Sequence, residues 1–216
     1  DGKTDIMIQK QSDPAVNIIY FEKDSKKRLL HGIKDGFNNA TEFTYDYLTN
    51  DAIYTKGNSS AYPVIDIQPS SAVVTAVKTP NGVGGNAITT YRYEKAKLHK
   101  KGKGYLGFEK VIIENINSGI RTTTDYEMDP TFFRVNPSTI KTELISGGQL
   151  SLTTLYHAYV SLGNKRVYSY LSKSIVTDAL TNFTTNTKLA HNSFGNPTDI
   201  TINRGNIETI KTTNVY

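Results

Sequence analysis

The sequence predicts an all-β protein built from antiparallel hairpins, and three observations carry that expectation. Apolar and polar residues alternate with a period of two through most of the chain, and clusters of Gly, Asn, Asp and Pro cut the alternation into strand-length pieces. Of the 216 residues 14 are Tyr and 8 are Phe, with Thr, Ser and Asn abundant, while hydrophobic residues reach only 37%. That is the composition of pleated surfaces that stay half wet. The strand-like pieces recur at intervals of roughly 8–15 residues, as sequential antiparallel strands do.

Taken in order, "VNIIYFEK" (16–23) is short, apolar and strand-like. "ATEFTYDYLT" (40–49) sets Phe43, Tyr45 and Tyr47 on one face against Thr44, Asp46 and Leu48. "AYPVIDIQ" (61–68) and "SAVVTAVKT" (71–79) lead into "PNGVGGN" (80–86), whose Asn-Gly and Gly-Gly steps accept positive φ. "AITTYRYEKAKLH" (87–99) alternates again, "YLGFEKVIIENI" (105–116) answers it, and "NSGIRTTTDYEM" (117–128) is a turn followed by a strand. "TELISGGQLSLTTLYHAYV" (142–160) is a hairpin about Gly147-Gly148, and "LGNKRVYSYLSKSIVTDAL" (162–180) is one about Gly163-Asn164. The tail (191–216) pairs strands about Gly195-Asn196 and Arg204-Gly205. Asp13-Pro14 and Asp129-Pro130 read as turn initiators.

Two stretches also fit helices. Val167, Leu171, Ile175 and Ala179 lie four apart, but the surrounding Ser, Thr and Val favour a strand. "NPSTIKTEL" (136–144) has Pro137 where a helix could start, yet it is too short to matter. No linker rich in Pro, Gly or Ser divides the chain, so residues 1–216 read as one continuous β structure. The opening "DGKTDIMIQK" carries no signal-peptide pattern and the closing "TIKTTNVY" stops inside a strand-like pattern, so a piece of a larger protein is expected. No apolar run approaches the roughly 18–20 residues that span a bilayer as a helix.

The net charge is +5, and its placement matters more than its size. Arg92, Lys95, Lys97, Lys100, Lys101, Lys103 and Lys110, against Glu94 and Glu109, account for all of it; the remainder balances 18 basic with 18 acidic residues. Within this strip Gly102-Lys103-Gly104-Tyr105-Leu106-Gly107 has the spacing of a dinucleotide fingerprint. Such a fingerprint needs a buried strand before it and a helix opening on it. Here "KAKLHKK" precedes and the strand-like "FEKVIIENINSG" follows, so glycines easing a tight turn explain the spacing better and no cofactor is expected.

Lysines interleaved with Tyr91, Tyr93, Tyr105 and Phe108 invite a nucleic-acid reading. Alternation splits them between two faces, which makes no continuous cationic groove. With no Cys, and with His31, His99, His157 and His191 far apart, metal-ligand spacing is lacking. Ser59-Ser60 and Ser70-Ser71 sit in no nucleophile elbow, so no catalytic residue is expected.

The strands share a loose grammar of a Gly/Asn turn, a Thr-rich strand, then Tyr-x-Tyr or Asp-Tyr, as in "GFNNATEFTYDY", "NSGIRTTTDYE", "GGQLSLTTLYHAY" and "FGNPTDITI". This resembles the YD repeat of Rhs proteins. The block "TTYRYEKAKLHKKGKGYLGFEKV" is more specific: it is similar to "YxYxxAxxHxxGRGFLGF" of the toxin-complex B component and related virulence-plasmid proteins. Tyr91, Tyr93, His99, Gly102, Gly104, Leu106, Gly107 and Phe108 carry that marker, with Lys103 where the family usually has Arg and Tyr105 where it has Phe. "HGIKDGFNNATEFTYDYLT", "YPVIDIQPSSAVVTAVKTPNGVGG" and "NKRVYSYLSKS…GNPTDITI" extend the resemblance over residues 29–216.

The resemblance implies an early segment of a YD-repeat shell that encloses a toxic C-terminal segment, in a secreted or cell-surface protein. It implies partners within the same longer polypeptide, a propeller upstream and the shell and toxin segment downstream, and other toxin-complex subunits. The family's "DPxG" self-cleavage motif is not matched, since Asp129-Pro130 is followed by Thr-Phe-Phe, so a non-enzymatic role is expected. The competing expectation is a cell-envelope binding module holding polysaccharide or anionic polymer on its Tyr faces and the 91–110 strip. Lys100, Lys101 and Lys103 are then the candidate contacts to the anionic partner.

Overall fold

The computed structural model describes residues 5–9, 16–20, 29–164 and 166–216. Strands β1 (Asp5–Gln9) and β2 (Val16–Tyr20) pair antiparallel as a small sheet. The strand expected over 16–23 is described as far as Tyr20; residues 21–23 and Asp13-Pro14 lie outside the described residues.

Every other strand among the described residues belongs to one 14-stranded sheet. Its members are β3 (Gly32–Lys34), β4 (Ala40–Tyr47), β5 (Tyr54–Thr55), β6 (Val64–Asp66), β7 (Ala72–Pro80), β8 (Asn86–His99) and β9 (Gly104–Asn115). The later ones are β10 (Ile120–Met128), β11 (Val135–Leu144), β12 (Gln149–Ser161), β13 (Val167–Asp178), β14 (Phe183–His191), β15 (Pro197–Arg204) and β16 (Glu208–Thr213). From β7 onward each strand pairs antiparallel with the next in sequence, so the sheet is a meander; β4 and β3 extend it beyond β7. Strands hold most of the described residues, and among them there is no helix. Both helix alternatives resolve as strands, 167–178 within β13 and 135–144 as β11, because each is bonded on both edges.

Six register shifts interrupt the ladders, including those at Thr44/Tyr45, Lys97/Leu98, Asp125/Tyr126 and Tyr156/His157. Each inserts a residue on one strand and sharpens the local twist. The sheet is largely one layer: among the described residues only Leu48, Tyr54, Val64, Ala96 and His99 are fully buried. All five lie in or against the segment between β4 and β7, which leaves the meander at Leu48, crosses β8 and returns at Ser71. Leu48 N–H donates to Ser71 O at 3.0 Å where the two ends meet.

Candidate functional site

The β8–β9 hairpin carries the family-marker block, and the 48–71 segment covers it. Strand β8 is long enough to take three partners along one edge. β7 pairs with its first residues, β5 runs parallel beside Tyr93 and Glu94, and β6 pairs with Lys97 to His99. Tyr93 N–H donates to Ile53 O (3.0 Å), Ile67 N–H to Ala96 O (3.0 Å) and Lys100 N–H to Pro63 O (2.9 Å), so the edge is bonded through the gaps between these strands.

A small core forms where the layers meet. Leu48, Tyr54 and Ala96 are buried together, with Ile67, Val73, Tyr93 and Phe108 packed around them. The Tyr54 hydroxyl donates to Ile67 O at 2.5 Å and accepts from Ala96 N–H at 2.9 Å, which ties the segment to β8. Tyr93 packs at a tilt on Phe108, with ring centroids 4.7 Å apart, and its hydroxyl donates to Val74 O at 2.7 Å. Tyr105 meets the same Phe108 edge-on at 5.9 Å. Tyr91 sits opposite Ile113. Tyr93 and Phe108 of the marker therefore pack against the core, whereas Tyr105 stays 52% exposed.

The glycine triplet lies at the closed end of the hairpin. Residues 100–103 form the turn, Gly104 starts β9, and Leu106 is the extra residue between the pairs Lys97↔Gly107 and Leu98↔Tyr105. Gly104 (φ +74°) and Gly107 (φ +97°) occupy left-handed backbone, and an added Cβ would meet nothing within 4 Å at either. What these positions require is the backbone conformation, not space. Gly107→Val should therefore lower stability by about 1–3 kcal/mol, the usual strain of a side chain there. Thermal unfolding against Gly107→Asn, which tolerates that region better, checks it, and equal melting temperatures for Val and wild type would remove the conformational explanation. The helix a nucleotide fingerprint needs is not present, since β9 runs straight on from the triplet.

His99 is 5% exposed, accepts the Lys103 N–H at Nδ1 (3.4 Å) and packs at 4.4 Å on Phe133. It braces the turn from inside.

The lysines have partners. Lys97 is 14% exposed and its ammonium donates to Asp66 Oδ1 (2.7 Å), Ser60 Oγ (2.8 Å) and Glu109 Oε2 (3.2 Å). Asp66, itself 7% exposed, also accepts the Ser60 N–H at 2.8 Å. Burial pushes the Asp66 carboxyl up, but the bonds from Lys97 and Ser60 outweigh it and hold the group below the usual carboxylate range. Glu109 follows the same logic: burial raises it, and bonds from Lys95 and Lys97 bring it below the ordinary value.

Lys95 pairs with Glu109 at 2.8 Å and Lys110 with Asp125 at 3.4 Å. Lys103 donates to Phe132 O and lies over the Phe133 ring, while Lys101 lies 5.2 Å over Tyr62. Among the described residues only the Lys100 ammonium, of the three candidate anion contacts, has no side-chain or carbonyl partner. Lys95 takes left-handed backbone (φ +55°), and its ammonium donates to the same Glu109 that Lys97 reaches.

Beside this cluster is a cavity of about 510 Å³ with Tyr62, Leu106, Phe108, Tyr126, Met128 and Phe133 among its walls. Ser60 and Lys97 also line it, 2.8 Å apart. A Ser–Lys nucleophile needs a desolvated, unpaired amine, whereas this ammonium is engaged by two carboxylates. Asp66, and the meeting of Ser60 with Lys97, escape sequence reasoning because the two lie 31 and 37 residues from Lys97. No local spacing announces them. Among the described residues no group of three or more His, Asp or Glu side chains is placed to hold a metal ion, and no helix is long and apolar enough to cross a membrane.

Comparison with known proteins gives this geometry a family. A chain of the TcdB2–TccC3–Cdc42 crystal structure superposes with a TM-score of 0.52 over 82% of this chain at 10% identity. At that identity the likeness speaks to the fold, and the present chain corresponds to 12% of the other's length. A search of curated proteins found no match. The model of the insecticide toxin TcdB middle/N-terminal region matches residues 1–140, which include the whole 91–111 block. With 140 of its 216 residues so matched, the chain belongs to the TcdB middle/N-terminal region family of insecticidal toxin complexes.

Proposed function

We propose that this chain is a non-catalytic wall segment of a toxin-complex shell of the YD-repeat type, helping to enclose a toxic C-terminal segment of a secreted protein. The observation that carries the reading is the single-layer meander: one continuous sheet, antiparallel apart from β5, with two broad faces and, among the described residues, full burial confined to the 48–71 cover and what it touches. A wall requires strands that pair edge to edge with tolerant turns, and it separates two spaces without holding a site of its own. Family membership and the TcdB-like fold support the same role. The engagement of the Ser60-adjacent amine by carboxylates supports the non-catalytic part.

The binding-module alternative draws less support. Lys95, Lys97, Lys103 and Lys110 spend their charge or donors on neighbours within the chain, and Tyr93 packs internally against Phe108.

Limited proteolysis of the full-length protein tests enclosure. Gly107→Val, which strains the wall at the bulge in β9, should speed cleavage of the C-terminal segment several-fold relative to wild type. A segment cleaved equally fast in both proteins, with the variant's wall measurably destabilised, would count against enclosure by this segment.

A further inference from the structure

We propose that the far half of the sheet carries a docking row for an acidic polypeptide segment, formed by Lys173, Lys188 and Lys211. The two halves of the same face treat their cations differently. On β8 to β11, Arg92 pairs with Glu114 (3.1 Å), Arg121 with Glu114 (2.6 Å) and Glu143 (3.5 Å), Lys141 with Glu143 (2.5 Å) and Lys110 with Asp125 (3.4 Å). Each cation there has a carboxylate on the same or an adjoining strand, as a self-sufficient sheet surface should.

Beyond β12 the pattern reverses. The register sets Lys173 of β13 directly opposite Lys188 of β14, Lys188 opposite Thr201 of β15, and Thr201 opposite Lys211 of β16. Direct partners share a face, so three ammonium groups stand in one row across four strands. Like charges directly opposite destabilise a ladder, and among the described residues none of the three has an ion-pair partner. Lys173 lies over the half-exposed Tyr156 ring at 5.0 Å, and Lys188 and Lys211 are exposed. The only carboxylate that the register puts on this face of β13 to β16 is Asp199, which accepts the Thr213 hydroxyl at 3.1 Å. Glu208 faces the other way and is held by Arg204.

The row's dimensions favour an extended peptide. Three inter-strand steps of about 4.8 Å place Lys173 and Lys211 about 14 Å apart at their backbones, and alternate side chains of an extended chain recur every ~6.8 Å. Carboxylates at positions i, i+2 and i+4 of an acidic segment crossing the strands therefore span the row, with the Thr201 hydroxyl between the outer lysines. This surface is distinct from the 91–110 strip and does not depend on the enclosing role.

Fluorescence anisotropy of a labelled peptide with Glu at alternate positions, titrated with the full-length protein, tests it. Wild type should bind, more weakly as salt rises, and Lys173→Gln/Lys188→Gln/Lys211→Gln should weaken binding about tenfold, the product of three exposed ion pairs. Lys100→Gln/Lys101→Gln should leave it unchanged. No binding by wild type, equal loss in both variants, or a triple-variant effect seen only with heparin or with anionic lipid vesicles would each overturn the proposal.

Discussion

Tyr54→Ala is expected to detach the 48–71 segment from the sheet and to lower the melting temperature more than any other single change considered. Tyr54 is 1% exposed and is the largest fully buried side chain among the described residues. Truncating a buried aromatic residue costs about 3–5 kcal/mol in lost burial and cavity formation. The same change strips the partner from Ala96 N–H and Ile67 O, and each buried orphan adds about 1–3 kcal/mol. Against a total stability of about 5–15 kcal/mol the sum is large. At ~2–4 °C per kcal/mol for a chain of this size, a loss of about 5 kcal/mol moves the midpoint by about 10–20 °C.

Tyr54→Phe separates the two contributions. It keeps the ring against Leu48 and Phe108 and removes only the hydroxyl, so a drop of about 4–8 °C and faster exchange of the Ala96 amide are expected. A Phe variant with wild-type melting and wild-type exchange would show that the hydroxyl does not hold the two layers together.

These positions also mark where sequence reading succeeds and where it stops. Strands β8, β9, β12 and β13 are legible because each sustains its alternation over nine or more residues between turn signals. The helical spacing in 167–180 loses to the ladder, since β13 is bonded by β12 and β14 on its two edges. β3 and β5 are not legible: with three and two residues they carry no period, and they are strands only because β4 and β8 offer an edge. The expected strand over 61–68 shortens to Val64–Asp66 for the same reason, as pairing with Lys97 to His99 defines it.

The marker block yields its turn and its glycines to a reading of spacing, because positive φ is a local requirement. It does not yield the fate of its lysines. Lys97 depends on Asp66 and Ser60, which tertiary folding brings from a loop that the sequence shows only as turn-rich. A charge count locates a basic strip; the fold decides which of its charges remain available.

Breaking the Asp66–Lys97 pair is the second large effect. The two side chains are 7% and 14% exposed and 2.7 Å apart, and removing one member of a buried pair costs about 3–5 kcal/mol because the other is left uncompensated. Lys97→Met leaves Asp66 buried with only the Ser60 donors, so a fall of about 6–20 °C is expected. Asp66→Asn is milder, since Glu109 still reaches the ammonium at 3.2 Å. Replacing both, as Asp66→Leu/Lys97→Met, should recover part of the loss, because two apolar side chains leave no orphan charge. The sign of the pH dependence follows from the depressed carboxyls. Asp66 and Glu109 titrate lower in the folded chain than in the unfolded one, so their contribution is complete above the unfolded carboxyl range near about pH 4. It is lost as pH falls through the lower folded values. Wild type should therefore lose melting temperature steeply below about pH 4, and Asp66→Asn should show a shallower descent from a lower plateau. Parallel acid limbs for the two proteins would mean that Asp66 carries none of this linkage and that the pair is a bystander to the cover it bridges.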